Sequence, residues 1–313
     1  MIRYLGYPCI NMNLSESTSD SSGNLVKVSN KNKIFSSRTI RMANFSLQKA
    51  SELALSNVKD LYTIMEWNVA NNIHFFRISS NIFPFIDHPE LGYRINSLSD
   101  APEIIRTLQM IGDIARSNKI RLTCHPGPYT CIASPRQNVI DKSLMSIECH
   151  AELANILNTP DFAINIHVGG NYYDYYEQTA ISFSNSFRKL SQYAQSILTV
   201  ENDDRGSLWS VQKLYDYIYK ETGIPIVMDM HHWKFNHDLP NMEDSAQLAL
   251  STWGNRFPKM HYSESRPKAK PQAHSDYIQD KIPVLSSNID YDIMLETKQK
   301  DKALLQYRKG QTV

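Results

Sequence analysis

The chain is poor in the features that announce most specialised classes of protein. Only four cysteines, Cys9, Cys124, Cys131 and Cys149, occur in 313 residues, and no two form a CxxC pair. That excludes zinc-finger and disulfide-framework readings and fits a reducing interior. No apolar run is long enough to cross a bilayer, and the opening MIRYLGYPCINMNL lacks the charged start, long apolar stretch and cleavage site of a secretory signal. A cytoplasmic protein with no membrane contact is expected. An excess of one charge is missing too. With 33 Lys and Arg against 32 Asp and Glu the formal charge is +1, so any surface for nucleic acid has to be local.

What is present reads as a packed α/β protein. Hydrophobic residues make up 42% and charged residues 21%, which separates the chain from disordered and fibrous classes. Short apolar runs rich in β-branched and aromatic residues alternate with stretches of helical periodicity, the pattern of βαβ units. Eight strands are expected: Ile2 to Leu5, Ile73 to Ile78, Ile120 to Cys124, Phe162 to Ile166, Ile197 to Val200, Pro225 to Met228, Lys259 to His261 and Tyr291 to Leu295. Eight such units close into a single-domain (β/α)8 TIM barrel over residues 1–313, for no interior linker marks a boundary.

Helices are expected from Ser46 through LQKASELALSNVKDLYTIMEW, after the cap signal of Ser99, Asp100 and Pro102, and over Leu144 to Leu157, Tyr176 to Gln195, Leu208 to Lys220 and Met242 to Trp253. The seventh unit is abbreviated, because Ser265 to Asn288 carries several prolines and only SDYIQD has a helical look. Ser15 to Asn32 is rich in Ser, Asn and Lys and reads as a long mobile loop after the first strand.

In a parallel barrel the loops at the carboxyl ends of the strands converge on one face, where chemistry collects. His125 follows strand three, His167 strand four, Glu201 strand five, Asp229 and His232 strand six, His261 strand seven and Glu296 strand eight. Any one histidine at a strand end is more often a hydrogen-bonded structural residue than a ligand. Imidazoles and carboxylates from consecutive strands together supply the mixed nitrogen and oxygen donors that zinc or manganese takes. Their number exceeds what one ion needs, so two or three ions are expected, with Glu201 and Glu296 as bridging carboxylates. Such clusters suit phosphodiester hydrolysis. A salt bridge from Glu201 to Arg205 is the plain alternative, disfavoured because Asp203 and Asp204, after Asn202, crowd negative charge nearby.

GYPCIN (Gly6 to Asn11), RISS (Arg77 to Ser80), HPGPY (His125 to Tyr129), HVGG (His167 to Gly170), ENDDR (Glu201 to Arg205), DMHH from Asp229, KMHYSESR (Lys259 to Arg266), AHSDYI (Ala273 to Ile278) and LETKQKDKALL (Leu295 to Leu305) stand in this order. Together they resemble the signature blocks of UV damage endonucleases and cover nearly the whole chain. The resemblance implies a barrel related to endonuclease IV that uses divalent ions to nick UV-damaged double-stranded DNA just 5′ of a photoproduct, leaving a 3′-hydroxyl. Manganese is the expected metal, with zinc, cobalt and magnesium as alternatives.

Carried over position by position, it implies metal ligands at His125, His167, Glu201, Asp229, His232, His261, His274 and Glu296, and a further one at His88, which equally suits a loop cap. It implies catalytic roles for Glu201, Glu296 and Lys259, the last as an ordinary lysine or as a carbamate. It also implies that Tyr7, Asn11 and Tyr129 probe the damaged duplex, with the ring of Tyr129 as a wedge; packing between loops is the plain alternative for both tyrosines. The family's HPGQY appears here as HPGPY, so Pro128 replaces a glutamine that could hydrogen-bond DNA. Phosphate contacts are expected from Lys27, Lys31, Lys33, Arg38 and Arg41 and from Lys298, Lys300 and Lys302, although most charges in such runs are merely solvated.

A metal-dependent sugar isomerase or epimerase on the same barrel is the second reading, and a non-catalytic DNA-binding or metal-storing protein the third. An isomerase needs a small closed pocket and a general base, whereas this donor set fills the mouth. No obligate protein partner is expected, and a monomer suffices.

Overall fold

The computed structural model describes residues 1–15, 33–173, 175–286 and 288–310, and the backbone of a two-stranded antiparallel ribbon, Thr18–Ser19 with Leu25–Val26. Lys27, Lys31 and most of the loop expected over 15–32 lie outside the described residues.

Eight parallel strands form the centre. They are β1 (Ile2–Pro8), β2 (Phe75–Ile78), β3 (Arg121–Cys124), β4 (Ala163–His167), β5 (Leu198–Glu201), β6 (Ile226–Val227), β7 (Lys259–Tyr262) and β8 (Tyr291–Leu295). Hydrogen-bonded neighbours run in the order β6, β5, β4, β3, β2, β1, β8, β7. The two outer strands meet through a parallel bridge between Asp229 and His261, and the His261 amide donates to the Met228 carbonyl at 2.9 Å. That contact rounds off the barrel at the place where two of the expected metal ligands stand. Strands β3, β5, β7 and β8 are buried along their whole length, as expected where helices cover the outside and side chains fill the interior.

The helices follow the expected pattern with shifted ends. Helix α1 (Leu47–Ala70) starts where Ser46 accepts a hydrogen bond from the Lys49 amide at 3.1 Å, and Ala50, Ala54, Val58, Leu61 and Met65 form its inner stripe. Asp100 precedes α2 (Ala101–Ser117) but makes no cap bond; its carboxylate accepts from the Ser51 hydroxyl on α1 instead. Helix α3 (Gln137–Leu157) begins seven residues before the expected Leu144, and the single helix expected over Tyr176 to Gln195 is two, Tyr176–Phe187 and Gln192–Ile197. Ser191 makes the break, capping the second piece through the Ala194 amide. Among the described residues no helix follows β7, so SDYIQD is irregular. The described residues end in a helix that its charged composition left unmarked, α4 (Lys300–Gly310).

The floor of the barrel is pinned by an ion pair. Arg121, at the start of β3, bonds Asp292 of β8 at 2.9 Å and also donates to the Pro258 and Phe257 carbonyls. Both side chains are buried, and Arg3 closes over Asp292 from outside at 2.7 Å.

Candidate active site

Strand register sets the ligand ring. His167 and Glu201 are direct partners between β4 and β5, and His261 pairs with Met294, two residues before Glu296. Glu201 stands at the centre, buried to 1% exposure. Its Oε2 lies 3.4 Å from His125 Nε2 and 3.9 Å from His167 Nε2; its Oε1 lies 3.1 Å from His261 Nδ1 and 3.6 Å from His232 Nδ1. Glu296 faces the same His261 nitrogen at 3.2 Å and His274 Nε2 at 3.9 Å. No ion pair between Glu201 and Arg205 is formed among the described residues, so the imidazole environment is what this carboxylate answers to.

Three groups of donors lie close enough to hold ions: His125, His167 and Glu201; Glu201, Asp229 and His232; and Asp229, His261 and Glu296, each with its atoms within 4.8 Å of one another. Glu201 belongs to two groups, as a bridging carboxylate must. The second shared residue is Asp229, whereas the sequence pointed to Glu296. Local backbone explains this: Asp229 starts a one-turn helix (Met230–Trp233), and its Oδ1 accepts from the His231 and His232 amides at 2.6 and 2.9 Å. The carboxylate is thereby turned so that its Oδ2 is buried without a hydrogen-bond partner. A buried, unpaired carboxylate oxygen is costly unless a cation meets it, so the residues present fit a divalent metal.

A second set of contacts orients the imidazoles. His125 Nδ1 is 3.0 Å from the Pro126 carbonyl, His232 Nδ1 is 2.8 Å from the Asn202 carbonyl, His167 Nδ1 is 3.1 Å from Asp203 Oδ1 and His274 Nδ1 is 2.6 Å from Ser263 Oγ. The contacts of His125, His232 and His274 are hydrogen bonds that occupy one ring nitrogen and leave the other to ligate, whereas Asp203 faces His167 at ion-pair distance. Asn165 donates to Glu201, Arg77 pairs with Glu296, and Asn202 both accepts from the Asp229 amide and donates to its carbonyl. These four supports, Arg77, Asn165, Asn202 and Asp203, carried no assigned role in the sequence. A signal existed for two of them: an arginine in FFRI and an asparagine in AINIH are polar residues inside barrel strands, which need buried partners.

The electrostatics are those of a site built for positive charge. Glu201 and Glu296 stay well below the ordinary carboxylate range: burial works against them, but His261 and His167 around Glu201, and Arg77 and His261 around Glu296, outweigh it. Burial also opposes the charge on His167 and His232. Glu201 and Asp203 nevertheless raise His167 to about 9, and Asp229 and Glu201 raise His232 to about 10. His125, where burial wins, falls to about 4. Lys259 is buried, with Nζ 3.0 Å from His261 Nε2; burial first, then Arg121 and Arg77, bring it down to about 7 against the pull of Glu201 and Glu296.

Other sequence expectations fare differently. His274 comes to the rim through Glu296 but belongs to none of the three groups. His88 is not joined to them either: its Nδ1 accepts from the Glu90 and Leu91 amides, the loop-cap role. Tyr7 and Asn11, expected as duplex probes, are turned away from the surface. Both side chains are fully buried; the Tyr7 hydroxyl donates to Asn68 Oδ1 on α1 at 2.7 Å and accepts from Asn11 Nδ2 at 2.9 Å. They seal β1 against α1, because a tyrosine on the helix-facing side of the strand satisfies its hydroxyl with buried asparagines. Tyr129, at 84% exposure, is a free surface ring.

Comparison with known proteins agrees with this architecture. A protein of Schizosaccharomyces pombe described as a UV-damage endonuclease is 33% identical, covering 96% of this chain and 49% of its own length. A Clostridium perfringens protein described as a UV DNA damage endonuclease is 34% identical over 84% of this chain and 64% of its own. The chain thus spans about half to nearly two thirds of the length of these curated relatives. The crystal structure of SacUVDE superposes with a TM-score of 0.81 at 29% identity, covering 98% of this chain and 96% of the other. Endonuclease IV from Thermus thermophilus shares the fold at a TM-score of 0.56 and 16% identity, covering 80% and 93%. The family model of the UV-endonuclease UvdE matches residues 3–311, and the chain belongs to that family.

Proposed function

We propose that the chain is a DNA repair endonuclease that hydrolyses the phosphodiester bond immediately 5′ of a UV photoproduct in duplex DNA and leaves a 3′-hydroxyl. The observation that carries the reading is the three linked donor groups sharing Glu201 and Asp229. Their number supports two or three divalent ions, with manganese as the expected metal. His125, His167, Glu201, Asp229, His232, His261 and Glu296 would hold them. Bound there, such ions supply an activated water and charge stabilisation for the leaving oxygen.

The protein's own residues prepare that chemistry. Asp203, Ser263 and the carbonyls of Pro126 and Asn202 fix ring orientation. Asn165 and Arg77 hold the two glutamates in place. Lys259, buried and shifted to about 7, presents a substantial neutral fraction at physiological pH, the form that adds carbon dioxide; a carbamate there would put an anion beside His261. The exposed ring of Tyr129 supports a role in probing stacking in the duplex. The four free cysteines support a reducing compartment such as the cytoplasm.

A sugar epimerase on the same barrel is less well supported, because the donor groups crowd the mouth where a sugar would have to close in. The test is to incubate irradiated and unirradiated supercoiled plasmid with the protein and manganese. Nicks confined to the irradiated sample, mapping 5′ of dipyrimidines, support the proposal. Equal cutting of both, or none, refutes it.

A further inference from the structure

The candidate ligands come from the ends of β3 to β8, which leaves the side of the mouth next to β1 and β2 without one. Two cations stand there. Arg77, in β2, is already paired with Glu296. Lys300, the first residue of α4, is not: among the described residues its ammonium has no hydrogen-bond or ion-pair partner, although it is half-buried and within electrostatic reach of Glu296, Arg77 and Cys9.

Among the described residues no carboxylate pairs with it directly. Glu296 is committed to Arg77 and His261. Asp301, next in sequence, is fully buried and accepts from the Met12 amide at 2.5 Å and from the amide and side chain of Asn13 at 3.1 and 2.6 Å. Burial lowers the pKa of Lys300, with Arg77 adding to the effect and Cys9 and Glu296 opposing it; the surroundings disfavour its charge. The backbone is also held in the left-handed region, φ +49°, where a residue with a side chain is strained. A half-buried cation beside a second cation, kept in a strained conformation, lacks an anion. Its neighbours in sequence differ: Lys298 is exposed, and Lys302 has contacts of its own.

We propose that Lys300 is a catalytic residue whose ammonium bonds a non-bridging oxygen of the DNA phosphate held over the donor groups, completing the mouth on the side where no ligand stands. This rests on the nuclease reading above. Of the three lysines that follow β8, it singles out one.

The test uses the full chain with manganese, irradiated supercoiled plasmid for nicking, and a fluorescent duplex carrying a photoproduct for binding across a salt series. Lys300→Gln is expected to slow single-turnover nicking by about tenfold to hundredfold. It should also lower the slope of log binding constant against log salt by about 0.9, one phosphate contact. Lys300→Arg should retain most of both. Lys300→Gly relieves the backbone, so it should melt at or above the parent temperature while nicking as poorly as Lys300→Gln, a combination that a structural lysine does not produce. Nicking by Lys300→Gln or Lys300→Gly within twofold of the parent, with an unchanged salt slope, overturns the proposal. A parent that leaves irradiated plasmid intact sinks the nuclease reading instead, and the salt slopes of the same variants then decide the phosphate contact by themselves.

Discussion

Nδ1 of His261 lies 3.1 Å from Oε1 of Glu201, so the end of β7 and the end of β5 share one point at the centre of the barrel mouth although β6 runs between them. Removing the charge at that point should disable the whole cluster. Glu201→Gln is expected to reduce nicking at least about a hundredfold and to lower the bound metal found by elemental analysis. Parental metal content and rate in this variant would show that the central carboxylate is not a ligand.

Metal binding should release protons. His167 and His232, raised to about 9 and about 10, both carry a proton at pH 7.5 in the metal-free chain, whereas a ligating imidazole must be neutral. Manganese therefore displaces protons, and its apparent affinity should climb with pH until about 9 to 10. Titration calorimetry in two buffers of different ionisation enthalpy reads this directly; heats independent of buffer would contradict it.

The barrel floor makes a separate prediction. Asp292→Ala strips the buried Arg121 of its carboxylate partner, and an uncompensated buried charge costs about 3–5 kcal/mol. Denaturant unfolding should show that loss, while metal content of the folded fraction stays unchanged because the ligands stand at the opposite end of the strands. A loss below about 1 kcal/mol would mean that the Phe257 and Pro258 carbonyls already satisfy the guanidinium.

Tyrosines 7 and 129 should separate cleanly. Tyr129→Ala removes an exposed ring, so stability and metal content should hold while the preference for damaged over intact duplex falls. Tyr7→Phe leaves Asn68 Oδ1 and Asn11 Nδ2 without the hydroxyl and should cost about 1–3 kcal/mol of stability with lesion preference intact. Reversal of these two outcomes would restore Tyr7 as the probe.

Alternating apolar runs and helical stretches were enough to place all eight strands, and strand-end position was enough to nominate the ring from His125 to Glu296, because side-chain period and loop convergence are local consequences of sequence in a parallel barrel. The helix ends were not legible, since they depend on whether Ser191 or Asp100 finds its partner within its own helix or on a neighbour. Nor were the roles of Tyr7, Asn11 and Asp229. Burial of the first two is decided by α1 packing on β1, and the second shared carboxylate is decided by which oxygen of Asp229 the following turn consumes. Those are distances between segments far apart in the chain, and they exist only once the barrel has closed.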